Sequence, residues 1–174
     1  PLNIQWSPSG NILRDRIAEV CINTLRQCMH EHYEDCPWRE QALYTLDSRN
    51  QMLCGYLAFG ETDFPRACLE LISHGQRKDG LLSICYPAGV NLAIPSSSLA
   101  YFLQMREYLS YSSDLDFVRE KYVFLCSLME VFLKRQRHDG LIENFQGVGL
   151  WNFYEWSEGM SGSSQIDIDA PLNA

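Results

Sequence analysis

Nothing in this sequence offers a polyanion a foothold. Its 14 Lys and Arg are outnumbered by 22 Asp and Glu, the formal net charge is −8, and no basic run could neutralise a row of phosphates. No nucleic-acid partner is therefore expected. Long apolar runs are missing too: residues 122–128 and similar stretches break off well short of the roughly 20 apolar residues that cross a bilayer, so no membrane partner is expected. The opening Pro1-Leu2-Asn3-Ile4 shows no basic stretch followed by an apolar one, hence no visible signal peptide. Gly-rich phosphate loops and serine nucleophile elbows are absent. His30 and His32, two apart and on different sides of an expected helix, are poor metal ligands, so neither a cofactor nor a metal is expected. Cysteine pairs at C-x-x-C spacing are lacking as well. The seven cysteines, Cys21, Cys28, Cys36, Cys54, Cys68, Cys85 and Cys126, are odd in number and scattered, and they read as buried, reduced thiols. A cytoplasmic setting suits them better than a disulfide scaffold.

What is present is the profile of one soluble globular unit: 174 residues, 46% hydrophobic and 21% charged. The chain starts without Met and stops just after Asp169-Ala170-Pro171, where another helix is expected to open, and it reads as a fragment cut from a longer protein. Its strongest internal signal is a repeat. Gln76-Arg77-Lys78-Asp79-Gly80-Leu81-Leu82 returns 60 residues later as Gln136-Arg137-His138-Asp139-Gly140-Leu141-Ile142. Before each copy, apolar residues recur three and four apart, which predicts a helix; after each comes a short apolar piece and a Gly-containing loop. The pattern predicts helices over 12–31, 37–59, 64–74, 96–110 and 115–135, and a helix-pair unit with a long loop at one end. Pro37 and Pro65 are read as first-turn prolines, and Ser96-Ser97-Ser98 as helix caps. Stacked pairs of this kind make an open superhelix or a closed ring, and periodicity leaves both open.

Acids gather at one expected helix start, Glu34-Asp35-Cys36-Pro37-Trp38-Arg39-Glu40-Gln41-Ala42-Leu43-Tyr44-Thr45-Leu46-Asp47. On a helix, Glu40 and Asp47 would lie within about 20° of one another, two turns apart, with Tyr44 between them. Such acids serve equally well as a solvated face or as partners of the helix dipole. They also suit glycoside hydrolysis, which needs a carboxylic acid that stays protonated near neutral pH, and crowding of Asp35, Glu40 and Asp47 raises the pKa of one member. Arg39 would oppose that for any acid it pairs with and more naturally holds a carboxylate or a sugar hydroxyl.

The order Asp35-Cys36-Pro37-x-Arg39-Glu40, then aromatic-Thr-x-Asp at Tyr44, Thr45 and Asp47, resembles the D-C-P-x-R-D-E-R-x-G-W-T-G-D signature of α-L-rhamnosidases of glycoside hydrolase family 78. The chain is one residue shorter between Arg39 and Asp47, has Gln41 where many members carry a second acid, and replaces Trp and Gly by Tyr44 and Leu46. The resemblance implies an all-α fold: helical hairpins of an α/α toroid of the six-hairpin glycosidase type, with residues 1–174 a single piece covering roughly half of the ring. It also implies a catalytic set of Glu40, Asp35 and Asp47, with Glu40 the general acid of an inverting hydrolysis of terminal α-L-rhamnosides. Asp35, Arg39 and Asp47 would bind rhamnose hydroxyls, Trp38 would join the substrate-binding residues, and Tyr44 would stand in for a sugar-stacking Trp. In the family the general base is a glutamate far downstream, outside this chain, so the fragment alone is expected to lack full activity.

A second constellation follows the second repeat copy: Leu150-Trp151-Asn152-Phe153-Tyr154-Glu155-Trp156. Aromatic faces stack on the C–H faces of sugars and a carboxylate accepts their hydroxyl protons, so Trp151, Glu155 and Trp156 form a candidate carbohydrate platform. Any one of these tryptophans taken singly is better read as packing. In the resembled family a G-D-W-type segment fills the corresponding loop, with Glu155-Trp156 as counterpart. The partner expected is thus a rhamnoside. The alternatives are another six-hairpin glycosidase of glucosidase or arabinosidase type, and a non-catalytic helical-repeat binding module whose acids would scatter over opposite surfaces. A partial ring bares apolar hairpin faces, so self-association is also expected, and a dilute monomer in size-exclusion chromatography would refute it.

Overall fold

In the computed structural model, residues 3–158, 160 and 161 are described. They form five helices and no strands: α1 (Ile12–Gln27), α2 (Thr45–Phe59), α3 (Asp63–His74), α4 (Pro95–Ser112) and α5 (Leu115–Leu133). The helix expected at Pro171 lies outside the described residues. Local chemistry sets the ends. Asn11 caps α1 by accepting the Arg14 N–H, and Asp114 caps α5 by accepting the Phe117 N–H at 3.1 Å. The connection from α2 to α3 spans residues 60–62, and Ser113 and Asp114 join α4 to α5, so each pair can only turn back on itself.

Apolar spacing then decides the packing. On α3 the buried residues Pro65, Cys68, Leu69, Ile72 and Ser73 form one face at three- and four-residue intervals. Along α4 the buried set Pro95, Ala100, Tyr101, Gln104, Met105 and Tyr108 fits a helix enclosed by neighbours: α2 lies along it, α3 and α5 also pack on it, and α1 rests on α2. Leu69 and Leu128 are fully buried in this core, where truncation of either to Ala would remove about 2–5 kcal/mol. Charged pairs stitch the layers together: Arg49 of α2 grips Glu107 of α4 through two nitrogens, and Lys121 of α5 donates to Glu70 of α3 at 2.6 Å. Ile12, Leu13, Ile17 and Val20 on α1, and Leu115, Tyr122, Val123 and Leu133 on α5, stay exposed at the two edges of the assembly. Among the described residues no helix is long and apolar enough to cross a membrane.

The long connections, 28–44, 75–94 and the stretch after α5, all lie at one end, held side by side by backbone bonds. Tyr44 bridges Cys85, Ile84 N–H donates to Leu92 O at 2.8 Å, Ala93 N–H to Gly149 O at 2.9 Å, and Trp151 N–H to Ala93 O at 3.0 Å. Both repeat copies sit at this rim and fold alike. Gln76 and Gln136 bridge Leu82 and Ile142, and each Gln side-chain amide donates to the carbonyl of Gly80 or Gly140, at 3.0 and 3.1 Å. Both glycines have positive φ, +88° and +86°, which explains the D-G pair in each copy.

Three local expectations fail. α1 stops at Gln27 and not at residue 31, so His30 and His32 lie in the rim connection, bonded to Glu34 and to the Tyr33 carbonyl. The α2 helix starts at Thr45 and not at 37. Ser96, Ser97 and Ser98 lie inside the first turn of α4, whose cap position is Ile94; Ser98 Oγ accepts the Leu82 N–H and Ser96 Oγ donates to Phe153 O, so they tether rim loops. Of the seven cysteines, all free, only Cys28, Cys68 and Cys85 are buried; Cys36 is half-buried, and Cys21, Cys54 and Cys126 are exposed. Burial pushes the Cys68 thiol up to about 12.

Candidate active site

The acid segment is a closed loop. Asp35 N–H donates to Ala42 O at 3.1 Å, and Ala42 N–H returns a bond to Asp35 Oδ1 at 2.9 Å. Inside that clasp, residues 37–40 form a turn in which Glu40 N–H donates to Cys36 Sγ at 3.3 Å and the Gln41 amide to Pro37 O at 3.3 Å. Gln41 takes a left-handed φ of +53°, which ends the turn before α2 can begin. Glu40 and Asp47 therefore do not share a helix face, and the acid–aromatic–acid helical stripe does not exist.

The same residues meet nonetheless, because the loop folds back over the start of α2. Burial first, then Glu40 close to the hydroxyl, raises the Tyr44 pKa. Asp47 lies exposed at the mouth of the site. Crowding of protein around its carboxyl, with Asp35 and Glu40 as lesser causes, raises its pKa. The buried Cys85 thiol, beneath, is raised by burial and then by Asp35 and Glu40. Asp47 thus feels the charge of Asp35 and Glu40, yet among the described residues no three His, Cys, Asp or Glu side chains are close enough to hold a metal ion. Arg39 and Glu40 are exposed on the turn, and Trp38, 90% exposed, stands beside them.

The aromatic segment lies on the same rim, joined to the acid loop through the backbone ladder from Tyr44 to Trp151. Its rings form a cluster: Trp151 and Phe153 centroids are 4.8 Å apart, Phe153 and Trp156 4.8 Å, and Trp151 and Trp156 5.8 Å. Trp151 is half-buried, its indole N–H bound to Ser161 O at 2.7 Å, whereas Trp156 is 77% exposed. Glu155 Oε1 accepts the Trp156 N–H at 2.7 Å, so this carboxylate holds its own loop. Phe153, the hub of the cluster, was passed over in the sequence; residues 151 and 153 of an extended segment point to the same side, and that alternation was the available signal. Arg77 was passed over too. Its guanidinium donates to Gly149 O at 3.0 Å and so props the entrance of the aromatic loop.

An apolar groove of about 620 Å³ lies elsewhere, between α1 and α2, where Trp6, Cys21, Leu25 and Leu57 line it. Asp35 is its sole link to the acid cluster, and its oily wall has little to offer a sugar's hydroxyls.

Helical hairpins with long loops gathered on one rim define the class: helical hairpins of the α/α toroid of six-hairpin glycosidases. Over residues 8–169 the sequence matches the family described as the bacterial alpha-L-rhamnosidase 6 hairpin glycosidase domain, and the chain belongs to that family. It is similar in structure to the GH78 family rhamnosidase of Bacillus sp. GL1, with a TM-score of 0.83 and 26% identity over 93% of this chain and 17% of that one. The rhamnosidase from Klebsiella oxytoca, solved with rhamnose bound, shares the fold at a TM-score of 0.77 and 24% identity, over 89% of this chain and 31% of that one. The chain thus spans less than a third of either protein. No curated protein matches it.

Proposed function

We propose that this chain carries the acid half of an α-L-rhamnosidase active site and that Glu40 is the proton donor. As the glycosidic C–O bond breaks, the Glu40 carboxyl delivers its proton to the departing oxygen, and the Tyr44 hydroxyl keeps that carboxyl aimed. Asp35 and Asp47, with Arg39, bind rhamnose hydroxyls, and the negative charge around the ring favours its oxocarbenium-like transition state. Water attacks the opposite face with inversion, activated by a glutamate beyond these residues at about 6.5–9.5 Å from the acid. The Trp151–Phe153–Trp156 cluster and Glu155 border the sugar. What supports this is the approach of Glu40, Tyr44 and Asp35 of the rim loop to Asp47 in the first turn of α2, in a chain of this family.

The test is the leaving-group dependence of Glu40→Gln in the intact protein. General acid catalysis is worth about 10²–10⁴ in rate, and most where the leaving group is a poor one. Glu40→Gln should therefore lose about that factor on alkyl rhamnosides and far less on nitrophenyl rhamnoside; equal turnover of both by variant and wild type removes Glu40 from the mechanism. One observation favours a second assignment: burial, with Asp35 and Glu40 as lesser causes, raises the Asp47 pKa, the direction in which a proton donor has to be shifted. If Asp47→Asn, and not Glu40→Gln, shows the leaving-group-dependent loss, the donor is Asp47.

A further inference from the structure

Exposure alone does not single out Trp38, since Ile12 and Val148 are as bare. Its place does. Trp38 sits in the turn 37–40, two residues from Glu40, inside a loop closed at Asp35 and Ala42 and braced by the Glu40 N–H on Cys36 Sγ. The backbone that carries the indole is thus already braced, so stacking on it is not offset by the ordering of a floppy loop. Pro37, Arg39 and Glu40 around it are exposed and leave its face open. Chemistry then says which part of a substrate meets it. A general acid must touch the glycosidic oxygen, the atom that leaves with the aglycone. The sugar ring lies between the acid and the attacking water, while the leaving group hangs on the acid's own side. A side chain neighbouring the acid on its loop therefore borders the leaving group.

We infer that Trp38 is a specificity-determining platform for the leaving group, and that the substrates are rhamnosides whose aglycone offers a flat apolar face, either an aryl ring or the C–H face of a second sugar. This rests on the rhamnosidase assignment above. The indole face contributes stacking and desolvation and takes no part in bond breaking.

The experiment compares Trp38→Ala, Trp38→Phe and wild type of the intact protein on methyl, phenyl and glucosyl α-L-rhamnosides, with kcat/KM and the melting temperature measured for each. Trp38→Ala should lose about three- to tenfold in kcat/KM on the phenyl or the glucosyl substrate, the range that aromatic stacking supplies. On methyl rhamnoside it should stay within about twofold of wild type, and Trp38→Phe should recover most of the loss. The substrate with the larger loss identifies the aglycone as aryl or sugar. A uniform loss across all three substrates, with or without a lower melting temperature, overturns the inference, because it shows Trp38 packing against protein or binding the rhamnose itself. No loss on any substrate overturns it equally. A wild-type protein inert on every rhamnoside refutes the rhamnosidase assignment and this inference with it, an outcome separable from the others because it precedes any mutation.

Discussion

Two turns built to one pattern, residues 76–82 and 136–142, live in different surroundings. In both, the Arg N–H donates to the Leu carbonyl four residues on, at 2.8 and 2.7 Å, and the Asp carboxylate accepts the Leu amide two residues on, at 3.1 and 3.2 Å. Both carry an Arg–Asp ion pair, at 2.8 and 2.6 Å. Yet a Cβ placed on Gly80 would stand 2.5 Å from Val131 Cγ2, while one on Gly140 would meet nothing within 4 Å. Arg77 is mostly covered and reaches across to Gly149, whereas Arg137 is more open and pairs with Asp139. The first turn has α5 against its glycine and has been drawn into supporting the aromatic loop; the glycine of the second faces open space. Local sequence builds the turn, and the neighbouring repeat decides what it does.

Glycine substitution should open the widest gap between the two. A side chain at positive φ is strained at either site, by about 1–2 kcal/mol. At Gly80 the clash with Val131 adds overpacking of about 1–3 kcal/mol. Thermal or denaturant unfolding should therefore show Gly80→Ala destabilised by roughly 2–4 kcal/mol and Gly140→Ala by about half that or less. Val131→Ala combined with Gly80→Ala should recover part of the difference. Equal losses at the two glycines would mean that the turns are not distinguished by what packs on them.

Arginine comes next in size. Removing Arg77 leaves the Gly149 carbonyl and Asp79 without a charged donor, an effect of about 1.5–3 kcal/mol for partly covered bonds of this kind; Arg137, in an open pair, should contribute about 0.2–1 kcal/mol. The sharper readout is functional. Gly149 leads directly into Trp151, so Arg77→Ala should weaken the aromatic platform, seen as a higher KM with smaller change in kcat, while Arg137→Ala leaves KM alone. Arg77→Ala with unchanged KM would detach the first turn from the site.

The contrast also marks how far the sequence could be read. Helical hairpins, the repeat and the long loops at one end follow from periodicity and turn residues, because they depend on contacts close in the chain. The ends of the 28–44 connection, 28–31 and 37–44, read as helix, the second because its acids and Pro37 mimic a helix start, while what keeps α2 from starting earlier is the clasp between Asp35 and Ala42 and a left-handed Gln41 with no glycine to announce it. Helical spacing puts Glu40, Tyr44 and Asp47 on one helix face, whereas the structure brings them near one another by loop closure. Ser96 and Ser98 were read as caps since their partners, Phe153 and Leu82, lie 57 and 16 residues away. Roles set by distant chain segments, as for Arg77 on Gly149, leave no local trace.

The smallest effect isolates what the second turn holds on its own. Asp139 accepts the Leu141 amide, and that bond, helped by Arg137, keeps its carboxyl below the usual value of 3.8. A carboxylate whose pKa is depressed by folding stabilises the native state above its unfolded pKa, and the contribution fades as pH falls through the depressed folded value. Asp139→Asn should thus lower the melting temperature slightly at pH 6–7, and the gap from wild type should close as the pH drops below about 4. The asparagine oxygen can still accept the Leu141 amide, so any remaining gap at pH 3 measures geometry and the part that vanishes measures charge. A gap that is undiminished at low pH would show that the second turn is held by shape alone, and the two turns would then differ in their neighbours and in nothing electrostatic of their own.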